Sequence, residues 1–127
     1  MLMELDAEKI ERVTLIGLSW GGAIAQRVAA RVPSRVRKLV LVDSSTDASS
    51  LEVLRAHPMP TLITWDEEDV VILVARAHSL GRALPHARLC LLTRAERDTD
   101  ANPENRHWSQ ETHSHVWNRI VMEFLKE

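Results

Sequence analysis

Four short apolar runs, too continuous to have one wet face, recur along this 127-residue chain with helix-like stretches between them. They are "RVTLIGL" at 12–18, "KLVLVDSS" at 38–45, "PTLITWDEED" at 60–69 and "ARLCLLT" at 87–93. A strand covered on both faces reads this way, whereas a half-exposed strand alternates. Between them, "GGAIAQRVAARV" (21–32) is Ala-rich with helical spacing and stops at Pro33. "SSLEVLRAH" (49–57) opens on a Ser49–Glu52 capping-box pattern, and "VVILVARAHSLGRAL" (70–84) is helical by length and ends at Pro85. The final "HVWNRIVMEFLKE" sets Val116, Trp117, Ile120, Val121, Phe124 and Leu125 on one helical stripe. This alternation predicts an α/β fold: a four-stranded parallel sheet flanked by helices with right-handed crossovers, in one domain over 1–127.

Charge and composition narrow the function classes. With 16 basic and 18 acidic residues the net charge is −2, and no basic block offers a nucleic-acid surface. The N-terminal "MLMELDAEKIER" is charged rather than signal-like, and no apolar run is long enough to span a membrane. Cys90, the one cysteine, cannot form an internal disulfide, so the expected setting is cytoplasmic. His57, His78 and His86 have no metal-ligand spacing, and neither a metal nor a cofactor is expected.

In parallel sheets, ligands and catalytic groups gather beyond the carboxyl ends of the strands. The polar residues there are Ser19, Asp43, the Asp66–Asp69 cluster, and the long polar stretch carrying His107, His113 and His115. Gly17-Leu18-Ser19-Trp20-Gly21 is a G-x-S-x-G pattern at a strand-to-helix junction, the context in which a strained turn exposes a serine hydroxyl. Its small neighbours let the next helix pack close behind, and the Trp20 N–H can face a developing oxyanion. The bland alternative is a glycine turn whose serine caps a helix.

"ERVTLIGLSWGGAIAQRVAARVPSRVRKLVLVDSS", "MPTLITWDEEDVV" and "HWSQETHSHVWNRIVMEFL" together resemble the α/β-hydrolase superfamily, in its C-terminal half from the nucleophile strand onward and in a cap-less form. The resemblance implies Ser19 as nucleophile, Asp69 as acid, His107 as base and Trp20 N–H as an oxyanion donor. The order Ser…Asp…His agrees with that fold. Two departures stand out: Asp66 replaces a usual glycine, and the loop "RAERDTDANPEN" before His107 is longer than usual and lacks glycine. Asp43 is an alternative acid, and His113 or His115 an alternative base.

The function expected is therefore a serine hydrolase acting on an ester, thioester or amide of a small molecule through an acyl-enzyme on Ser19. One alternative is a weak or inactive hydrolase segment serving as an interaction module. A Rossmann-type nucleotide site using Gly17, Gly21, Gly22 and Asp43 fits less well, because G-x-G-x-x-G is absent. In a sheet that starts at this strand, "VTLIGL" is an apolar edge without Lys, Pro or an inward charge. A homo-oligomer or a partner chain is expected to cover the edge near residues 13–18.

Overall fold

Each apolar run becomes a strand of one parallel sheet in the computed structural model, which describes residues 1–127. The strands are β1 (Val13–Leu18), β2 (Val36–Val42), β3 (Thr61–Asp66) and β4 (Arg88–Leu92), hydrogen-bonded in the order β1-β2-β3-β4. The helices are α1 (Leu2–Ala7), α2 (Trp20–Arg31), α3 (Leu51–Ala56), α4 (Val74–Ala83), α5 (Ser109–Thr112) and α6 (Ser114–Lys126). Register is in step across the middle of the sheet, with Leu41 opposite Gly17 and Ile63.

The side-chain alternation of β2 divides the core. Leu39 and Leu41 point to one face, where Ala25 and Ala29 of α2, Leu54 of α3 and Ala77 and Leu80 of α4 bury them together with Ile63 and Trp65. Val40 and Val42 point to the other face, where Val121 and Phe124 of α6 close over them and Leu62. Burial on both faces is the physical reason the β2 and β3 runs carry no polar alternation, whereas β1 and β4, at the two edges, are only partly buried.

Three sequence-derived boundaries shift. The Ser49–Glu52 capping box does not form: Ser49 Oγ instead donates to Asp47 Oδ1 at 2.8 Å, and α3 starts at Leu51 after a 3-10 turn. Residues 70–73 lie outside α4, because Asp69 Oδ1 accepts the N–H groups of Val71 (2.8 Å) and Ile72 (2.9 Å) and turns the chain there. On α6 the stripe is buried at Val121 and Phe124, while Leu125 faces outward.

One interior cation gave no sign of itself in the sequence. Lys38, buried on β2, donates from Nζ to the carbonyls of Phe124 (2.6 Å), Leu125 (3.2 Å) and Glu127 (2.9 Å). The last carbonyls of a helix lack intrahelical donors and carry partial negative charge, so this ammonium both satisfies and stabilises the end of α6.

β1 is the edge of the sheet, and α6 does not reach far enough to cover it: Ile16, on the α6 side, is 43 % exposed.

The strand-to-helix turn depends on two close backbone approaches. A Cβ at Gly17 would lie 2.6 Å from both the Gly21 carbonyl oxygen and Gly22 Cα. One at Gly22 would lie 1.8 Å from Ser44 Oγ, whereas one at Gly21 meets nothing within 4 Å. Close packing is thus provided by Gly17 and by Gly22, which lies outside the five-residue pattern. Gly17→Ala is expected to destabilise the fold by about 1–3 kcal/mol or more through overpacking. Gly21→Ala is expected to stabilise α2 by roughly 0.5–1 kcal/mol, since an open helical glycine gains only from lost backbone freedom. Urea unfolding midpoints of the two variants against the parent test both signs.

Candidate active site

The C-terminal ends of β1, β2 and β3 and the segment before α6 meet at one point. Ser19 follows β1 directly and has φ 54° and ψ −122°, a left-handed conformation that a non-glycine residue holds only at a cost of about 1–3 kcal/mol. Its surroundings enforce it. The Ser19 N–H donates to the Val42 carbonyl at 2.9 Å, and its carbonyl accepts from Gly22 at 3.0 Å and Ser45 at 2.9 Å. With both backbone groups committed, the side chain points away from the sheet instead of capping α2, and no cap hydrogen bond forms.

The loop after β2 is held in turn by Gln26 of α2, which is fully buried. Its Nε2 donates to the Ser45 carbonyl at 2.8 Å, and its Oε1 accepts the Asp47 N–H at 2.9 Å. A polar side chain inside the helix face thus satisfies a loop that would otherwise bury unpaired backbone groups.

His107 comes within hydrogen-bonding distance of both Ser19 and Asp69. Ser19 Oγ lies 2.8 Å from His107 Nε2, and His107 Nδ1 lies 2.8 Å from Asp69 Oδ2. The second Asp69 oxygen already accepts two backbone N–H groups, so Oδ2 is left for an imidazole N–H. That fixes the tautomer: Nδ1 carries the proton, and Nε2 is free to accept from the serine hydroxyl. His107 and Asp69 are both buried, and the Trp108 ring sits against the imidazole at 4.9 Å between centroids.

The other sequence candidates fall elsewhere. His113 is buried between Thr93 and Thr112, with Nε2 at 2.9 Å from the Thr93 carbonyl, and is a core residue. His115 is exposed and pairs with Asp98, which raises its pKa. Asp98 also accepts from the Ser114 N–H at 3.0 Å and so ties the long loop to the start of α6. Trp20 is 72 % exposed, and as the first residue of α2 its N–H has no intrahelical acceptor.

Asp43 does not contact His107. It sits after β2 at φ 44°, accepts the Asp66 N–H at 2.9 Å on Oδ1, and takes both the N–H (3.2 Å) and the hydroxyl of Ser109 on Oδ2. Sequence position had marked Asp43 as a strand-end carboxylate. Its partner Ser109, two residues past His107, carried no signal. Burial pushes the Asp43 carboxyl up to about 7, against the lowering effect of the Ser109 and Asp66 hydrogen bonds.

A cavity of about 500 Å³ lies between the 44–46 loop and residues 71–76; Val71, Leu73 and Arg76 line it, and Ser19, Asp69 and His107 do not. Exposed Val70, Trp20 and Trp108 add apolar surface nearby in the chain. No helix is long and apolar enough to cross a membrane.

A family model described as alpha/beta hydrolase fold matches residues 1–122. Among curated proteins, 2-hydroxymuconate semialdehyde hydrolase of Pseudomonas sp. (strain CF600) is 54% identical over 41 residues, 32% of this chain and 14% of that protein. Among solved structures, a meta-cleavage product hydrolase from Pseudomonas fluorescens IP01 superposes with a TM-score of 0.81 at 20% identity, covering 98% of this chain and 68% of that one. A CIB-like hydrolase from Thermoplasma acidophilum gives a TM-score of 0.79 at 20% identity over 96% of this chain, which spans only 54% of that relative. At such identities the structural likeness is one of fold.

The folded Asp43 binds a proton up to about pH 7, whereas in the unfolded chain an ordinary Asp releases it near 4. The folded state therefore holds more protons between those values, and stability falls as pH rises through that window. Urea unfolding at pH 5 and pH 7.5 is expected to show this loss, on the order of a few kcal/mol. In Asp43→Asn, which keeps the shape without a titrating group, the difference between the two pH values is expected to shrink. An unchanged difference would place the proton elsewhere.

Proposed function

This chain belongs to the alpha/beta hydrolase fold family, and we propose that it is a serine hydrolase that cleaves an ester, thioester or amide of a small molecule through an acyl-enzyme on Ser19. The observation that carries this reading is the pair of 2.8 Å contacts linking Ser19 Oγ, His107 and Asp69 Oδ2. The likeness to proteins named 2-hydroxymuconate semialdehyde hydrolase and 2-hydroxy-6-oxo-2,4-heptadienoate hydrolase supports a hydrolytic reaction.

In this mechanism Ser19 Oγ attacks the carbonyl carbon while its proton passes to His107 Nε2. Asp69 holds the imidazole by Nδ1–H and stabilises the imidazolium that forms. His107 then gives the proton to the leaving oxygen, sulfur or nitrogen, the carbonyl–heteroatom bond breaks, and the acyl group stays on Ser19. Water, deprotonated by His107, attacks the acyl-serine; the carbonyl–Oγ bond breaks, His107 returns the proton to Ser19 Oγ, and the acid leaves. The Trp20 N–H, at the positive end of α2, is one donor to the oxyanion.

A fluorophosphonate probe needs the activated serine but no complete turnover, and so tests the assignment directly. The parent chain is expected to label, Ser19→Ala to lose labelling, and His107→Ala to label slower by a factor of about 10²–10⁴, the usual contribution of a general base. His113→Ala and His115→Ala are expected to keep it wherever they remain folded. Labelling of Ser19→Ala at the parent rate would remove Ser19 from the mechanism.

The bare β1 edge favours a second reading, in which the chain is a catalytically weak hydrolase segment that works as an interaction module. An apolar parallel edge with an exposed Ile16 is a template for further pairing, and for the chain as given we propose that a second copy or a partner chain covers Val13–Leu18. Sedimentation velocity of the purified chain at micromolar concentration is expected to show a dimer or larger species. A folded monomer with that edge exposed to hydrogen exchange would contradict the association.

A further inference from the structure

We propose that Arg97 is a positioning residue for His107, acting through Asn105; the proposal rests on the reading of Ser19 and His107 given above. The guanidinium of Arg97 lies at the centre of the long loop between β4 and α5. From one nitrogen, NH2, it donates to the carbonyls of Asn102 at 2.6 Å and Asn105 at 2.5 Å, closing the loop on itself. The other, NH1, faces Asp66 Oδ2 at 3.5 Å. Neither of these last two atoms has any hydrogen bond, both are buried, and Asp66 stands at the end of β3. The pair is thus a desolvated electrostatic contact between the sheet and the loop, weakly screened by solvent.

Asn105 carries the constraint onward. Its carbonyl is held by Arg97, and its side-chain Oδ1 accepts the backbone N–H groups of His107 at 3.2 Å and Trp108 at 3.1 Å. On the far side, Asp43 accepts from Ser109. Residues 105–109 are therefore gripped at both ends by carboxylates at the ends of neighbouring strands, one through Arg97 and Asn105 and one directly. His107 lies between the grips. The two departures noted in the sequence, Asp66 in place of glycine and the longer loop, are the two halves of the Asp66–Arg97 contact. A long loop without such an anchor would leave the imbalance in entropy to be met by the His107 hydrogen bonds alone.

A merely structural Arg97 would change stability and nothing at the imidazole. Two readouts separate the roles: the rate of fluorophosphonate labelling at Ser19, and the downfield proton resonance of His107 Nδ1–H in its bond to Asp69. In Arg97→Ala the labelling rate is expected to fall about 10²-fold, the usual consequence of roughly 1 Å of misplacement, and the resonance to broaden or vanish. Millimolar guanidinium, which can occupy the vacated site, is expected to restore part of both. Asn105→Ala removes the last link without stranding a buried charge, and decides the matter if Arg97→Ala does not fold. It is expected to slow labelling in the same direction, and the double variant is expected to be no slower than Arg97→Ala, since the two residues act in series.

Parent-like labelling and an intact resonance in Asn105→Ala would overturn the positioning role while leaving Ser19 and His107 as proposed. A parent chain that does not label at all would instead sink the hydrolase reading. The resonance, compared between parent and Asn105→Ala, would still accept or reject the link from loop to imidazole.

Discussion

The turn at Ser19 is the constraint to which the rest of the molecule is fitted. A serine at φ 54° is held there by three backbone hydrogen bonds, to Val42, Gly22 and Ser45. Those bonds are available only because the first turn of α2 lies almost against β1, at Gly17, and against the β2 loop, at Gly22. The strain is small beside the core that opposes its release, since relaxing the turn would pull α2 away from Leu39 and Leu41. The hydroxyl stands clear of the sheet because the backbone around it has no other way to satisfy its donors and acceptors.

The partners of Ser19 come from loops, and each loop is fixed by something rigid behind it. The β2 loop leans on Gln26 of α2. The β3 loop is turned by Asp69, which uses one oxygen for the backbone and so presents the other to His107. The His107 segment is tied to α6 by Asp98 and bonded to the β3 loop where the Val70 N–H meets the Arg106 carbonyl at 3.3 Å. Precision in such a site depends on the supporting shell as much as on the three side chains themselves. Here that shell is built largely of side-chain oxygens accepting backbone N–H groups. Its span is short, and small shifts are costly.

The sheet was legible in the sequence because strands of a parallel sheet read as continuous apolar runs, most fully at β2 and β3, which are buried on both faces. All four runs became strands, and the strand-end positions of Ser19, Asp43 and Asp69 followed from that alone. The resemblance pointed to His107 by its distance from the last helix, and the structure places it just ahead of α5 and α6, which pack on β3. Side-chain partnerships across the chain were not legible. Lys38 meeting the carbonyls at the end of α6, 86 residues on, has no local signature. Arg97 likewise read as one polar residue among many in a loop. The start of α4 was misplaced because Val70, Val71 and Leu73 look like a helix face. Only Asp69 bonding to the backbone just ahead of it turns them out to solvent.

Four aspartates at the ends of β2 and β3 show how far environment, rather than residue type, sets chemistry. Asp47 accepts the hydroxyls of Ser50 and Ser49 and the guanidinium of Arg27, and is drawn down to about 2 with the Ser50 bond the largest cause. Asp43, buried and next to the carboxylate of Asp69, is pushed up to about 7 although it too accepts hydrogen bonds. Asp66 faces a guanidinium, and Asp69 faces an imidazole. Hydrogen-bond donors favour the charged form, whereas burial and like charge disfavour it, and the balance falls in opposite directions at Asp47 and Asp43. Both effects operate at Asp43 for a geometric reason. It lies between the ends of two strands, where its oxygens must satisfy Asp66 and Ser109 while Asp69 stands close by. Asp43 thus holds Ser109 from the end of β2, and the burial that places it there is the same burial that raises its pKa.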